Sequence, residues 1–147
     1  MTQNKVSTRL AFIEDVPSLC ELMSVLGYPT TKEEMQDRFT VLDKDPCYRM
    51  FVADIDGKVV GMAGALKSYY FEKVGCYVRL GALVTLETHR GKGIGRTLVQ
   101  AVEAWGASVG ASSLVLNCGN REEREVAHLF YKHLGYEAKS TGYAKKI

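Results

Sequence analysis

The sequence predicts one α/β domain built on a mixed sheet, and three observations carry that prediction. The hydrophobic period changes from helical to strand-like after about Leu42. Asp56-Gly57 sits between two strand-like runs and is a strong hairpin signal. A loop with glycine at alternate positions, Gly91, Gly93 and Gly95, follows a strand, opens an amphipathic helix and is followed by another apolar strand. That last arrangement is one βαβ unit, and the predicted order is β-α-α-β-β-β-α-β-α-β.

The elements follow in chain order. Arg9 to Ile13 reads as a first strand, and Glu14-Asp15 with Pro17 reads as a helix start. Leu19, Leu22, Met23 and Leu26 form the apolar stripe of that helix, which Gly27 and Pro29 end. Thr31 with Glu34 has the spacing of a capping box for a second helix running to about Leu42. Met50 to Ile55 and Val59 to Leu66 are the two strands of the hairpin. Lys67 to Gly75 is a connection containing Tyr69, Tyr70 and Phe71, and Tyr77 to Thr85 is a central strand. After the glycine loop, Ile94, Leu98, Val102 and Trp105 recur at helical spacing, and Gly110 is the stop. Ser113 to Asn117 has no alternation, which suits a buried parallel strand. A last helix spans about Glu122 to Leu134 before Gly135, with Val126, Leu129, Phe130 and Leu134 on its core face, and the tail around Tyr143 adds a final strand.

Composition bounds the function classes. The chain has 147 residues, 46% of them hydrophobic, which is one globular domain with no linker, repeat or low-complexity tract. A net charge of +2 is too small to argue for nucleic acid or a membrane surface. Cys20, Cys47, Cys76 and Cys118 lie far apart and read as reduced core thiols. The three histidines form no H-E-x-x-H motif, so no metal is expected. The polar N-terminus and the lack of a membrane-length apolar run give a cytoplasmic expectation.

The loop Arg90-Gly91-Lys92-Gly93-Ile94-Gly95-Arg96 carries the chemistry. Glycine permits positive φ and close backbone approach, so successive N–H groups can converge on one anion. The helix N-terminus adds the positive end of its dipole, and Arg90, Lys92 and Arg96 add three cations. The ligand implied is multiply phosphorylated. The G-x-x-x-x-G-K-[ST] loop is absent, and G-x-G-x-G is not the dinucleotide fingerprint.

Arg90, Gly93 and Gly95 occupy the defined positions of [RQ]-x-x-G-x-[GA], the acetyl-CoA signature of the GNAT acetyltransferase superfamily. Ala127 to Tyr136 resembles that family's A-x-x-x-Y-x-x-x-G-[FY] close. The resemblance implies a mostly antiparallel sheet flanked by helices, with one splayed parallel strand pair. It implies an N-acetyltransferase that uses acetyl-CoA as co-substrate. The amides from Gly91 to Arg96, with Ile94 among them, would take the pyrophosphate. The backbone around Leu83, Val84 and Thr85 would take the pantetheine, with Val84 N–H as oxyanion donor. Asn120 is a further pantetheine candidate, and Arg124 stands where the family often has asparagine. Tyr131 would protonate the departing thiolate.

For the general base, Glu87 leads, with Glu72 and His89 as alternatives; His128 and His133 read as surface residues. Direct attack is favoured over an acetyl-Cys118 route, since no histidine is placed to activate that thiol. The acceptor site is expected from the first two helices and the Lys67–Gly75 connection, with Tyr69, Tyr70 and Phe71 as a wall or merely an edge cap. Glu33, Glu34 and Asp37 could attract an amine or simply be solvated. The expected acceptor is a small-molecule amine. The alternatives are a protein or peptide N-acetyltransferase and, from another class, a non-catalytic acyl-CoA-binding or regulatory domain. The resemblance allows a homodimer, and no residue pattern decides it.

Overall fold

The computed structural model describes residues 5–118 and 124–147. The chain divides into two compact units, Met1–Val115 and Leu116–Ile147. The first holds nearly all of a five-stranded sheet ordered β1-β2-β3-β4-β5, with β1 Val6–Leu10, β2 Tyr48–Ile55, β3 Lys58–Tyr69, β4 Cys76–Thr85 and β5 Ala111–Leu116. The pairings β1–β2, β2–β3 and β3–β4 are antiparallel. The pairing β4–β5 is parallel, bridged by the crossover helix α3 (Ile94–Ser108). The helices α1 (Val16–Leu26) and α2 (Lys32–Lys44) precede β2.

Strand alternation sorts the two faces of the sheet. A Cβ on Gly61 would lie 3.0 Å from Leu98 and 3.1 Å from Ile94, so this glycine lets α3 press directly onto β3. Its neighbour Met62 lines a cavity with Met23 of α1 and Met35 of α2 on the opposite face. Leu19 and Leu22 of α1 and Leu98 and Val102 of α3 are completely buried, which is the stripe their spacing predicts.

The predicted local signals largely hold. Thr31 Oγ1 accepts the Glu34 amide at 3.1 Å and caps α2. Asp56 (φ 50°) and Gly57 (φ 86°) are both left-handed, as a two-residue hairpin turn requires.

Other boundaries move, each for a physical reason. The first strand is Val6–Leu10, ending before the predicted Ile13. Asp15 Oδ2 accepts the Phe12 amide at 2.9 Å, which turns the chain into a 3-10 helix over Ile13–Asp15. That carboxylate also takes both terminal nitrogens of Arg9, at 2.8 and 2.9 Å, and Arg9 reaches Asp54 at 3.2 Å. The expected acidic cap of α1 is therefore a half-buried ion pair that ties β1 to the helix start. β3 continues to Tyr69, so Lys67, Ser68 and Tyr69 belong to the strand, paired with Val78, Tyr77 and Cys76.

Of the four free thiols, only Cys76 is buried; Cys20, Cys47 and Cys118 are half-buried. Among the described residues no helix is long and apolar enough to cross a membrane.

The second unit contains α4, Glu125–His133. Its start falls after the predicted Glu122, which lies outside the described residues. Gly135 (φ 94°) ends the turn, and the Tyr136 amide donates back to Tyr131 O at 3.0 Å. The predicted core stripe is only half right. Phe130 and Leu134 are half-buried, whereas Val126 and Leu129 are 78% and 66% exposed. His133 is exposed as expected, but His128 is half-buried and has an interaction partner. The predicted strand near Tyr143 is not formed: residues 137–147 are irregular and exposed. This tail is rich in lysine and carries Gly142, with no apolar alternation to hold a strand on a core.

Candidate functional site

The glycine loop is built as its sequence requires. Gly91 (φ 75°) and Gly93 (φ 78°) are both left-handed, a conformation closed to a bulky side chain without strain. Gly93 is the N-cap of α3 and offers no side chain to the first turn, so the amides of Ile94, Gly95 and Arg96 are left for a ligand. The first helical bond comes only at Thr97, whose N–H and Oγ1 both donate to Gly93 O, at 3.0 and 2.8 Å. Arg90, Lys92 and Arg96 are exposed and have no ion-pair partner among the described residues. Uncapped amides, a helix dipole and three unneutralised cations together fit a polyanion such as a pyrophosphate.

The strand leading into the loop sets the direction of each amide. Leu86 N–H donates to Val60 O at 2.9 Å, and the pairing keeps this register through Val84–Met62. Hydrogen-bonded and non-hydrogen-bonded pairs alternate along an antiparallel ladder. The Val84 N–H therefore faces β3, while those of Leu83 and Thr85 point to the opposite edge. Sequence reasoning had chosen Val84 as the outward donor; the register gives that orientation to Leu83 and Thr85. Upstream, the pairing slips between Gly64 and Ala65, leaving Gly81 as the extra residue of a β-bulge.

On the α1–α2 face of this bulge lies a cavity of about 610 Å³. Its walls come from the end of β1 (Leu10), α1 (Met23), α2 (Met35, Phe39, Leu42 to Lys44), the turn after α2 (Asp45 and Pro46) and strands β2 to β4, including Gly81 and Ala82. Both α1 and α2 line it, whereas Tyr69, Tyr70 and Phe71, which the sequence leaves as a wall or an edge cap, do not. Tyr70 turns away to hydrogen-bond Ser112 at 2.6 Å and Ser113 at 3.1 Å, and it packs on Tyr77 at 5.0 Å. Phe71 and Tyr69 are exposed. Glu33, Glu34 and Asp37 lie on the solvated side of α2 and line no part of the cavity.

The candidate bases differ in position. Glu87 is exposed in a 3-10 turn between β4 and the glycine loop. His89 ends that turn, with Nδ1 2.8 Å from Thr88 Oγ1. Glu72 stands in the turn before β4, at the other end of a ten-residue strand, about 30 Å away along the sheet.

Within the second unit, Tyr131 is half-buried on α4, with Phe130 at 5.1 Å and Tyr136 at 6.1 Å, both edge-on. Burial pushes its hydroxyl up to about 12, with the Cys118 thiol adding to the rise and Arg124 opposing it. The hydroxyl is thus protonated throughout the neutral range and is a committed donor. Asn120 lies outside the described residues.

A sequence model described as the Acetyltransferase (GNAT) family matches residues 16–136. The chain belongs to the GNAT acetyltransferase family. No curated protein matches it. A GNAT family acetyltransferase from Staphylococcus aureus is 27% identical, with 97% of this chain and 98% of that one covered, at a TM-score of 0.84. A transcriptional regulator from Bacillus halodurans shares the fold at 21% identity, covering 97% and 100%, with a TM-score of 0.88. An aminoglycoside N-acetyltransferase in complex with CoA shares it at 18%, covering 99% and 98%, with a TM-score of 0.83. Within this GNAT chain, sequence reasoning found the glycine loop but missed the cavity and the bulge. Gly81, an isolated glycine inside an apolar strand, was the available signal for the bulge.

Proposed function

We propose that this GNAT protein transfers an acetyl group from acetyl-CoA to a primary amine by direct attack. The observation that carries this reading is the loop from Arg90 to Arg96: left-handed glycines, an uncapped helix start and three exposed cations with no ion-pair partner among the described residues. Acetyl-CoA supplies the thioester, and the rest is done by the chain. The Gly91–Arg96 amides bind the pyrophosphate, and Arg90, Lys92 and Arg96 neutralise it. Thr85 and Leu83 offer outward amides to the pantetheine, and in this reading the Leu83 N–H holds the carbonyl oxygen as it gains charge.

The acceptor ammonium must lose a proton before attack, and Glu87 takes it through water. As the C–N bond forms and the C–S bond breaks, the Tyr131 hydroxyl gives its proton to the sulfur, and the second proton that the nitrogen sheds on becoming an amide returns to the tyrosinate through water. A raised hydroxyl does not disqualify Tyr131, because desolvation that raises it raises a thiolate formed beside it as well. The half-buried Cys118 has no histidine among its described partners, so a covalent acetyl-cysteine is not part of this mechanism.

Gly93→Val tests the loop. A β-branched side chain at φ 78° is strained and points the first-turn amides elsewhere. Calorimetric titration should show acetyl-CoA binding weakened at least about tenfold, a loss of roughly 1.4 kcal/mol. Unchanged affinity in a folded variant would remove the loop from the site.

A further inference from the structure

We propose that the acceptor carries its primary amine on an apolar body, an arylalkyl or branched alkyl group, seated in the cavity between α2 and the sheet. The proposal rests on the acetyl-transfer reading and narrows it to a substrate class. The chain has five methionines. Met1 lies outside the described residues, and the other four, Met23, Met35, Met50 and Met62, all line this one cavity. Phe39 and Leu66 add to the same wall. Thioether side chains are unbranched, polarisable and favourable against aromatic rings, so such a wall adapts to apolar groups of varied shape.

Three of the six polar side chains at the rim, those of Arg38, Asp45 and Arg49, are engaged with the protein. Arg49 Nη1 donates to Tyr48 O at 2.7 Å and to Pro46 O at 2.9 Å, and its guanidinium lies over Trp105 at 5.4 Å. Arg38 Nη2 donates to Met35 Sδ at 3.1 Å, and Asp45 Oδ1 accepts the Cys47 amide at 2.9 Å. A sugar or polyamine entering this space would lose water from many polar groups and find few partners. An apolar body loses little and displaces poorly held water. The volume, about 610 Å³, suits a small molecule rather than a peptide segment.

Placement joins the cavity to the chemistry. Gly81 and Ala82 line it, and Leu83, with its outward amide, is the next residue of β4. Gly64, Gly81 and Ala82 keep side-chain bulk away from this end, so an amine can approach the backbone closely. A Cβ on Gly64 would meet nothing nearer than 3.8 Å, so this position tolerates a side chain that grows into the cavity.

The test uses the full chain with its methionine methyl groups carbon-13 labelled, titrated with phenethylamine, 3-methylbutylamine, spermidine and glucosamine, alongside CoA release from acetyl-CoA with each amine. The expected result is that the two apolar amines shift the Met35 and Met62 methyl resonances. They should also be turned over with kcat/KM at least about tenfold above the two polar ones. Gly64→Leu should raise KM for phenethylamine about tenfold while leaving acetyl-CoA affinity unchanged, and Gly64→Ala should give a smaller rise in the same direction. Methyl shifts without CoA release would uphold the apolar seat and sink the transfer reading. Turnover of spermidine or glucosamine without methyl shifts would keep transfer and overturn the apolar acceptor. Silence from every amine in both readouts would also overturn it, as would shifts produced by a long-chain acyl-CoA and by no amine.

Discussion

At the residue scale, Asp15 and Tyr131 show opposite uses of burial. Burial alone would raise the Asp15 carboxyl, but the hydrogen bonds from Arg9 and from the Phe12 amide outweigh it and hold the group below its ordinary value. Its contribution to stability is therefore present above about pH 4 and is lost as pH falls through the lowered folded value. Asp15→Asn should cost about 1.5–3 kcal/mol at neutral pH, because Arg9 loses the nearer and two-pronged of its two carboxylate partners and keeps only Asp54. Denaturation in urea should also show that the variant lacks part of the wild-type acid sensitivity below pH 4; an identical acid profile would remove Asp15 from the account. Tyr131 stands at about 12, raised by burial, so its proton is retained far into alkali. Tyr131→Phe should lower kcat at least about tenfold with little change in acetyl-CoA affinity, and near wild-type turnover would exclude it as the acid. Neither environment was readable beforehand. Tyr131 is legible through the motif around it, whereas Asp15 reads as an ordinary helix cap, because the Arg9 guanidinium that holds it is fixed by Asp54 only once β1 pairs with β2.

At the element scale, patterns carried by a short run of residues were legible. The Thr31 cap, the Asp56-Gly57 turn, the α1 and α3 stripes and the glycine loop all depend on neighbours within one or two turns. What depends on pairing was not. Whether Leu83 or Val84 turns its amide outward is a matter of strand parity, and a one-residue change of register reverses it. The cavity needs α1, α2 and four strands brought together, so no single segment announces it. Gly61 is a case between these extremes: an interior strand glycine is visible in sequence, but its reason is α3 lying 3.0 Å from the missing Cβ. Gly61→Val should destabilise by about 1–3 kcal/mol through overpacking against Leu98 and Ile94. Thermal unfolding with an unchanged midpoint would show that α3 is not seated as described.

At the scale of the whole molecule, the α/β class, the order of the first nine elements and the family were all legible, because each rests on several agreeing local signals. The tail was not: Tyr143 suggested a strand, but the lysine-rich chain around it offers no apolar face to hold one. Membership of the GNAT family and a fold shared with acetyltransferases and with a transcriptional regulator leave catalysis as the claim to test. The most direct measurement is the initial rate of free thiol release from acetyl-CoA by the purified protein, with and without a saturating amine, together with mass analysis of the amine. The account predicts release that requires the amine, saturates in both substrates and yields one acetylated amine per thiol. Tight acetyl-CoA binding with no amine-dependent thiol release across aromatic, aliphatic, polyamine, amino-sugar and peptide acceptors would contradict it and leave a protein that only binds the acyl donor.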